Sequence, residues 1–132
     1  MSETQPRILI VDDEPDLRSV LRFGLEAERF EVIEASDGEA GLQAACEQLP
    51  DLIVLDLMLP RMDGYKVCRA LKFDDRYRHI PVIILSARSG ETDRRLAIEL
   101  GADAFVTKPY DMKDLVSRVR EQLQQPRRAD AA

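Results

Sequence analysis

In Leu52-Ile53-Val54-Leu55-Asp56-Leu57-Met58-Leu59-Pro60, four apolar residues run straight into a carboxylate. No polar residue alternates within Leu52 to Leu55, so both faces of this short strand are covered. That is the pattern of a central strand in a parallel sheet. Asp56 then stands where the strand leaves the core, at the carboxyl edge where open α/β sheets place their ligand sites. By itself, a carboxylate in that place is more often a turn or cap residue than a reactive one. Recurrence along the chain decides between the two.

Working outward, Arg7-Ile8-Leu9-Ile10-Val11 is a second continuous apolar run, and it ends on Asp12-Asp13. Pro81-Val82-Ile83-Ile84-Leu85 ends on Ser86-Ala87, and Ala102 to Thr107 delivers Lys108-Pro109. Glu31-Val32-Ile33-Glu34-Ala35 is more polar, which places it at a sheet edge.

Helical periods separate these strands. Pro15 falls in a first turn, where its missing donor costs nothing, and Leu17, Val20, Leu21 and Leu25 mark a buried stripe. Ser36-Asp37-Gly38 caps a helix in which Ala40, Ala44 and Ala45 permit close packing. Val67, Cys68 and Leu71 point inward from a third helix, and Gly101 ends a fourth in a left-handed conformation. Asp111 caps a fifth, whose Met112, Leu115, Val116, Val119 and Leu123 keep the helical period. Strands alternating with helices give an α/β fold, a doubly wound five-stranded parallel sheet covered on both faces. Right-handed crossovers and a polar second strand give the order 2-1-3-4-5, which is flavodoxin-like.

The 132 residues suit one domain, read as residues 7–123, with 1–6 a leader and 124–132 a tail or severed linker. At 45% hydrophobic and 33% charged residues, the chain can bury a core under a charged surface. A net charge of -6 and a pI near 4.9 argue against direct nucleic-acid binding, which needs a basic footprint. No apolar run approaches a membrane span, and the polar start has no signal-peptide core. Cys46 and Cys68 fall in helical patterns and read as packing thiols. The protein is expected to be cytoplasmic.

The strand ends carry the chemistry. In a parallel sheet Asp12-Asp13, Asp56, Ser86 and Lys108 emerge on one edge, around the switch point between the first and third strands. Two carboxylates 4 Å apart repel by about 4 kcal/mol at an effective dielectric of 20, so three of them call for a cation or a proton. Hard oxygen ligands without His or Cys suit a Mg²⁺ that shares its coordination with a phosphate. Lys108 offers a point charge for that anion and Ser86 a hydrogen bond. A carboxylate nucleophile, a divalent metal and a lysine together describe phosphoryl transfer onto Asp56.

In this order and spacing the residues resemble the receiver domains of bacterial two-component response regulators. The resemblance runs from about Arg7 to Leu123. It rests on Val11-Asp12-Asp13-Glu14, Asp56 with Met58-Leu59-Pro60 and Asp63-Gly64, Ser86-Ala87, and Gly101-Ala102 followed by Phe105-Val106-Thr107-Lys108-Pro109. It implies that Asp56 accepts a phosphoryl group from a histidine kinase or phosphotransfer protein. It implies Mg²⁺ ligation by Asp13, Asp56 and the Met58 carbonyl, with Asp12 acting mainly through a water, and a cis Lys108-Pro109 peptide. It also implies a switch in which Ser86 moves toward the phosphoryl group and Phe105 turns inward. The surface of the fourth helix, fifth strand and fifth helix would then change, with a homodimer through it one outcome. Phe105 lacks the phenol hydroxyl that many relatives carry, and so cannot report its state by a hydrogen bond.

The plainer readings are a cap for Asp12 and Asp13, a turn for Ser86, a solvated lysine for Lys108 and core packing for Phe105. A flavodoxin-like cofactor binder would need a phosphate-cradling loop where Asp12-Asp13-Glu14 stands. A haloacid-dehalogenase-type phosphatase would carry a second acid at the position of Met58. A receiver-fold docking module working without phosphorylation would not need every site group. Arg88, two residues past Ser86, and Met58, two past Asp56, are expected to influence hydrolysis. The output lies in a downstream effector protein or an effector domain beyond the tail.

Overall fold

The structure is a computed structural model, and it describes residues 5–59, 61–87 and 90–125. Its strands are β1 (Arg7–Val11), β2 (Glu31–Ala35), β3 (Leu52–Asp56), β4 (Val82–Ser86) and β5 (Ala104–Thr107). Its helices are α1 (Pro15–Ala27), α2 (Gly38–Gln48), α3 (Gly64–Lys72), α4 (Glu91–Glu99) and α5 (Met112–Gln124). The strands pair in parallel in the order β2-β1-β3-β4-β5. This is the doubly wound, flavodoxin-like sheet expected from the alternation of periods.

Side-chain alternation divides the core into two layers. Leu9, Val11, Ile53, Leu55 and Ile84 point to the face covered by α2, α3 and α4. Ile8, Ile10, Leu52, Val54, Ile83 and Leu85 point to the face covered by α1 and α5. β3 and β4 are buried at every position, which explains their unbroken apolar runs. β2 is polar because it is an edge: Glu31 pairs with Arg7 of β1, and Glu34 serves α1. The Glu34 carboxylate accepts from Arg18 and Arg22, and the Arg22 hydrogen bond foremost holds it below its ordinary range.

Asp37, Asp63 and Asp111 each cap a helix, accepting from the N–H of Ala40, Lys66 and Lys113. Gly101 takes φ +96 behind α4, the left-handed position the sequence requires there. One expectation is corrected: Val20 is 55% exposed rather than part of the buried stripe of α1. Successive helical residues are turned by about 100°, so the stripe centred on Leu21 and Leu25 leaves Val20 on its shoulder. Leu17 is half-buried, and Phe23 is exposed alongside Val20.

Cys68 is sealed between α3 and α4, where its S–H donates to the Leu100 carbonyl at 3.7 Å. Burial pushes its thiol up to about 12. Since the thiolate is the reactive form, iodoacetamide at about pH 8 is expected to leave Cys68 unmodified until the protein is unfolded. Peptide mass mapping with and without denaturant checks this; rapid labelling of the native protein would show that the α3 layer opens readily.

Candidate functional site

Five side chains meet at the carboxyl edge of the sheet, each carried there by a strand end. Asp12 and Asp13 follow β1, Asp56 closes β3, Ser86 closes β4, and Lys108 follows β5. Carboxylate oxygens of Asp12, Asp13 and Asp56 lie within 4.8 Å of one another. Asp12 and Asp56 are only 1% and 6% exposed, Ser86 is fully buried, and Asp13 is open to solvent.

Their partners are unequal. Asp12 Oδ1 accepts from the Glu14 N–H at 2.9 Å, so one oxygen does the turn work of the plainer reading. Its Oδ2 is buried with no hydrogen-bond partner, 3.7 Å from Lys108 Nζ. Asp56 Oδ1 accepts from the Met58 N–H at 3.2 Å, and Oδ2 from Lys108 Nζ at 3.4 Å. Burial raises the Asp56 carboxyl above its ordinary value, and the Asp12 charge adds to this; Lys108 and the Met58 N–H oppose it. One ammonium therefore faces two of the three clustered carboxylates, Asp12 and Asp56. A buried oxygen without a donor, among hard oxygen ligands, fits a small divalent cation.

Lys108 is held by its backbone as well, since its N–H donates to the Ser86 carbonyl at 2.8 Å. The Lys108-Pro109 peptide is cis. Phe105 pairs in register with Ile84, and its ring is buried. The Arg94 guanidinium of α4 stands over that ring, 5.0 Å from its centroid. Tyr110, passed over in the sequence, is close enough to feel this site. Its hydroxyl is raised first by burial and then by the Asp12 charge. Neither Arg94 over Phe105 nor the nearness of Tyr110 to the Asp12 charge has a sequence signal, because both depend on how α4 and the β5–α5 loop lie across the sheet edge. Pro60 and Arg88 lie outside the described residues.

The response regulator receiver domain model matches residues 8–120, nearly the whole of this arrangement. The chain belongs to that family. The receiver is 41% identical over 127 residues to the DNA-binding dual master transcriptional regulator RpaA of Synechocystis sp.. That match covers 96% of this chain and 53% of RpaA. It is 50% identical over 115 residues to the response regulator PleD of Caulobacter vibrioides, covering 86% of this chain and 25% of PleD. Among solved structures, it resembles the signal receiver domain of a signal transduction histidine kinase from Syntrophus aciditrophicus. There the TM-score is 0.84 at 37% identity, with 89% of each chain covered. The chain thus spans about half the length of RpaA and a quarter of PleD. Receiver domains are signalling modules of two-component systems rather than turnover enzymes. No helix among the described residues is long and apolar enough to cross a membrane.

Proposed function

We propose that this receiver takes a phosphoryl group from a histidine kinase or phosphotransfer protein onto Asp56, in the cytoplasm, and changes its α4-β5-α5 surface in response. The observation that carries the reading is the clustered trio of buried Asp12 and Asp56 with exposed Asp13, beside Lys108, with Asp12 Oδ2 lacking a hydrogen-bond donor. Asp12, Asp13, Asp56 and the Met58 carbonyl would hold Mg²⁺. A bound Mg²⁺ supplies charge neutralisation for the phosphoryl oxygens.

The chain's own groups do the rest. An Asp56 oxygen attacks phosphorus, the P–N bond of the donor phosphohistidine breaks, and the imidazole leaves. The Met58 N–H and Lys108 hold the Asp56 carboxylate in place. Lys108 Nζ then pairs with the phosphoryl anion, and the Ser86 hydroxyl donates to it. Phe105, against Ile84 and beneath Arg94, follows Ser86. Moving such a switch from 1:99 to 99:1 takes about 5.5 kcal/mol of differential stabilisation. Charge-assisted bonds to one phosphoryl group supply a good part of it. Slow hydrolysis by water resets the site, so the domain does not turn over as an enzyme. The reader of the changed surface is an effector protein, a linked effector domain after the tail, or a second copy docking through α4-β5-α5. With its acidic balance, this domain does not itself bind nucleic acid.

Intact mass after incubation with acetyl phosphate and Mg²⁺ tests the assignment. The wild type is expected to gain one phosphoryl group, and Asp56→Asn to gain none. Chelating the metal should abolish the gain in the wild type. A modification that survives in Asp56→Asn would place the acceptor elsewhere. A folded, Mg²⁺-binding wild type that gains nothing from acetyl phosphate or from a kinase would leave only docking.

A further inference from the structure

We infer that Gly38, the first residue of α2, is a positioning residue for the β3–α3 connection that carries Met58, described at 57–59 and 61–63. The inference rests on the metal reading proposed above. Gly38 is buried where the β2–α2 turn meets this loop. A Cβ built on it would stand 1.8 Å from the Met62 carbonyl oxygen, 2.7 Å from the carbonyl carbon and 2.8 Å from Met62 Cβ. The nearest obstacle is backbone, so no change of rotamer clears it. Only glycine lets the start of α2 press directly on the loop.

The same junction carries a second contact, because Arg61 Nε lies 3.6 Å from Asp37 Oδ2 while Asp37 Oδ1 caps α2. Arg61 holds φ +71, a left-handed conformation that a side chain adopts at a cost and that the surrounding packing must impose. On the strand side, the Gly64 N–H donates to the Leu57 carbonyl at 3.0 Å. A Cβ on Gly64 would stand 2.5 Å from the Asp56 carbonyl oxygen. The loop is therefore held at two points by glycines, Gly64 against the backbone of Asp56 and Gly38 of α2 against Met62. Met58 lies between these points.

A methyl group at position 38 must push Met62 back by roughly 1 Å or more to reach ordinary van der Waals distance. The Gly64 N–H ties the end of this connection back to Leu57, next to Met58, so the displacement of Met62 is expected to be felt at Met58. Misplacement of about 1 Å from a distant change can cost on the order of 100-fold in a site that depends on geometry. Gly38→Ala is expected to weaken Mg²⁺ affinity by about 10-fold or more. Phosphorylation by acetyl phosphate should fall at low Mg²⁺ and recover as Mg²⁺ approaches saturation.

The experiment titrates the full chain with Mg²⁺ alone, by calorimetry and by amide NMR. It compares the wild type, Gly38→Ala and Leu25→Ala, whose cavity lies in the opposite layer under α1. Leu25→Ala should lose stability yet keep the wild-type Kd, whereas Gly38→Ala should lose affinity. In the wild type, the Gly38 and Leu57 amides should titrate together with a single Kd. This reading holds even where Gly38→Ala does not fold. A folded Gly38→Ala with the wild-type Kd overturns the inference, as does a wild-type Gly38 amide that stays still while Leu57 and Met58 shift. A wild type that binds no Mg²⁺ overturns the metal reading itself, and this inference with it.

Discussion

Replacing Lys72 with alanine is expected to destabilise the domain by about 3–5 kcal/mol, the cost of breaking a buried ion pair from one side. Lys72 sits in the last turn of α3, yet its side chain is only 5% exposed. Its Nζ donates to the carbonyls of Arg78 and Ile80 at 2.8 and 2.9 Å, and to Asp103 Oδ2 at 2.9 Å. Asp103 also accepts from the Val82 N–H at 2.8 Å, and Gln122 of α5 donates to its carbonyl at 3.3 Å. One ammonium thus fastens the end of α3, the approach to β4 and the turn before β5. The stem is enclosed as well, since a Cβ on Gly101 would stand 2.8 Å from Lys72 Cβ. Removing the ammonium leaves the Asp103 carboxylate with the Val82 N–H as its donor and takes a donor from the part-buried Ile80 carbonyl. Against a typical total of about 5–15 kcal/mol the loss is large, and Tm should fall by roughly 10–20 °C. Lys72→Met separates the causes. An equal loss in Met and Ala assigns the effect to the ion pair; a loss in Ala alone assigns it to packing of the stem. A drop below about 1 kcal/mol in both would reduce the cluster to an ordinary surface pair.

Lys72 also marks where the sequence stops being informative. A lysine in the last turn of a helix reads as a complement to the helix dipole. Nothing in the spacing tells that the β4 approach and the β5 turn fold over it. The strand ends were legible for the opposite reason. Continuous apolar runs identify buried parallel strands, parallel strands share one carboxyl edge, and whatever polar residue ends each run must appear there. Asp12, Asp13, Asp56, Ser86 and Lys108 therefore fall on one edge from the pattern of runs alone. Periodicity reports which face of an element is covered, not which loop lies across it or how wide the covered stripe is. Hence the period places Val20 in the core although it is exposed, and Arg94 over Phe105 and Met62 on Gly38 have no signal at all. Leu49 is a related case: it ends α2 at φ 48, where a sequence reader looks for glycine.

Lys108→Ala is expected to separate two roles of one ammonium, balancing charge in the resting site and pairing with the incoming phosphoryl group. Lys108 is the cation facing Asp12 and Asp56, at 3.7 and 3.4 Å, with its side chain 19% exposed. Without it, two largely buried carboxylates repel with no ammonium between them, and metal-free stability near neutral pH should fall by about 2 kcal/mol. The loss should depend on pH in a definite sense. The Asp56 carboxyl is already raised above 3.8 by burial, and Lys108 is the main force opposing that rise. A carboxyl raised on folding gives stability that is present below its unfolded value and lost as pH climbs through the folded one. The deficit of Lys108→Ala should therefore be small near pH 4 and grow toward pH 7, as measured by urea unfolding with a chelator present. Mg²⁺ should then restore stability, by about 2.7 kcal/mol at 100 times its Kd, because binding favours the folded state by mass action. Phosphorylation by acetyl phosphate should not follow. Removing a preorganised charge from the site of a developing anion typically costs about 100- to 1000-fold in rate, and no other described side chain supplies an ammonium there. If Mg²⁺ restores both stability and rate, Lys108 is a charge balance only. If it restores neither, the deficit comes from the β5–α5 connection losing its place rather than from the missing charge.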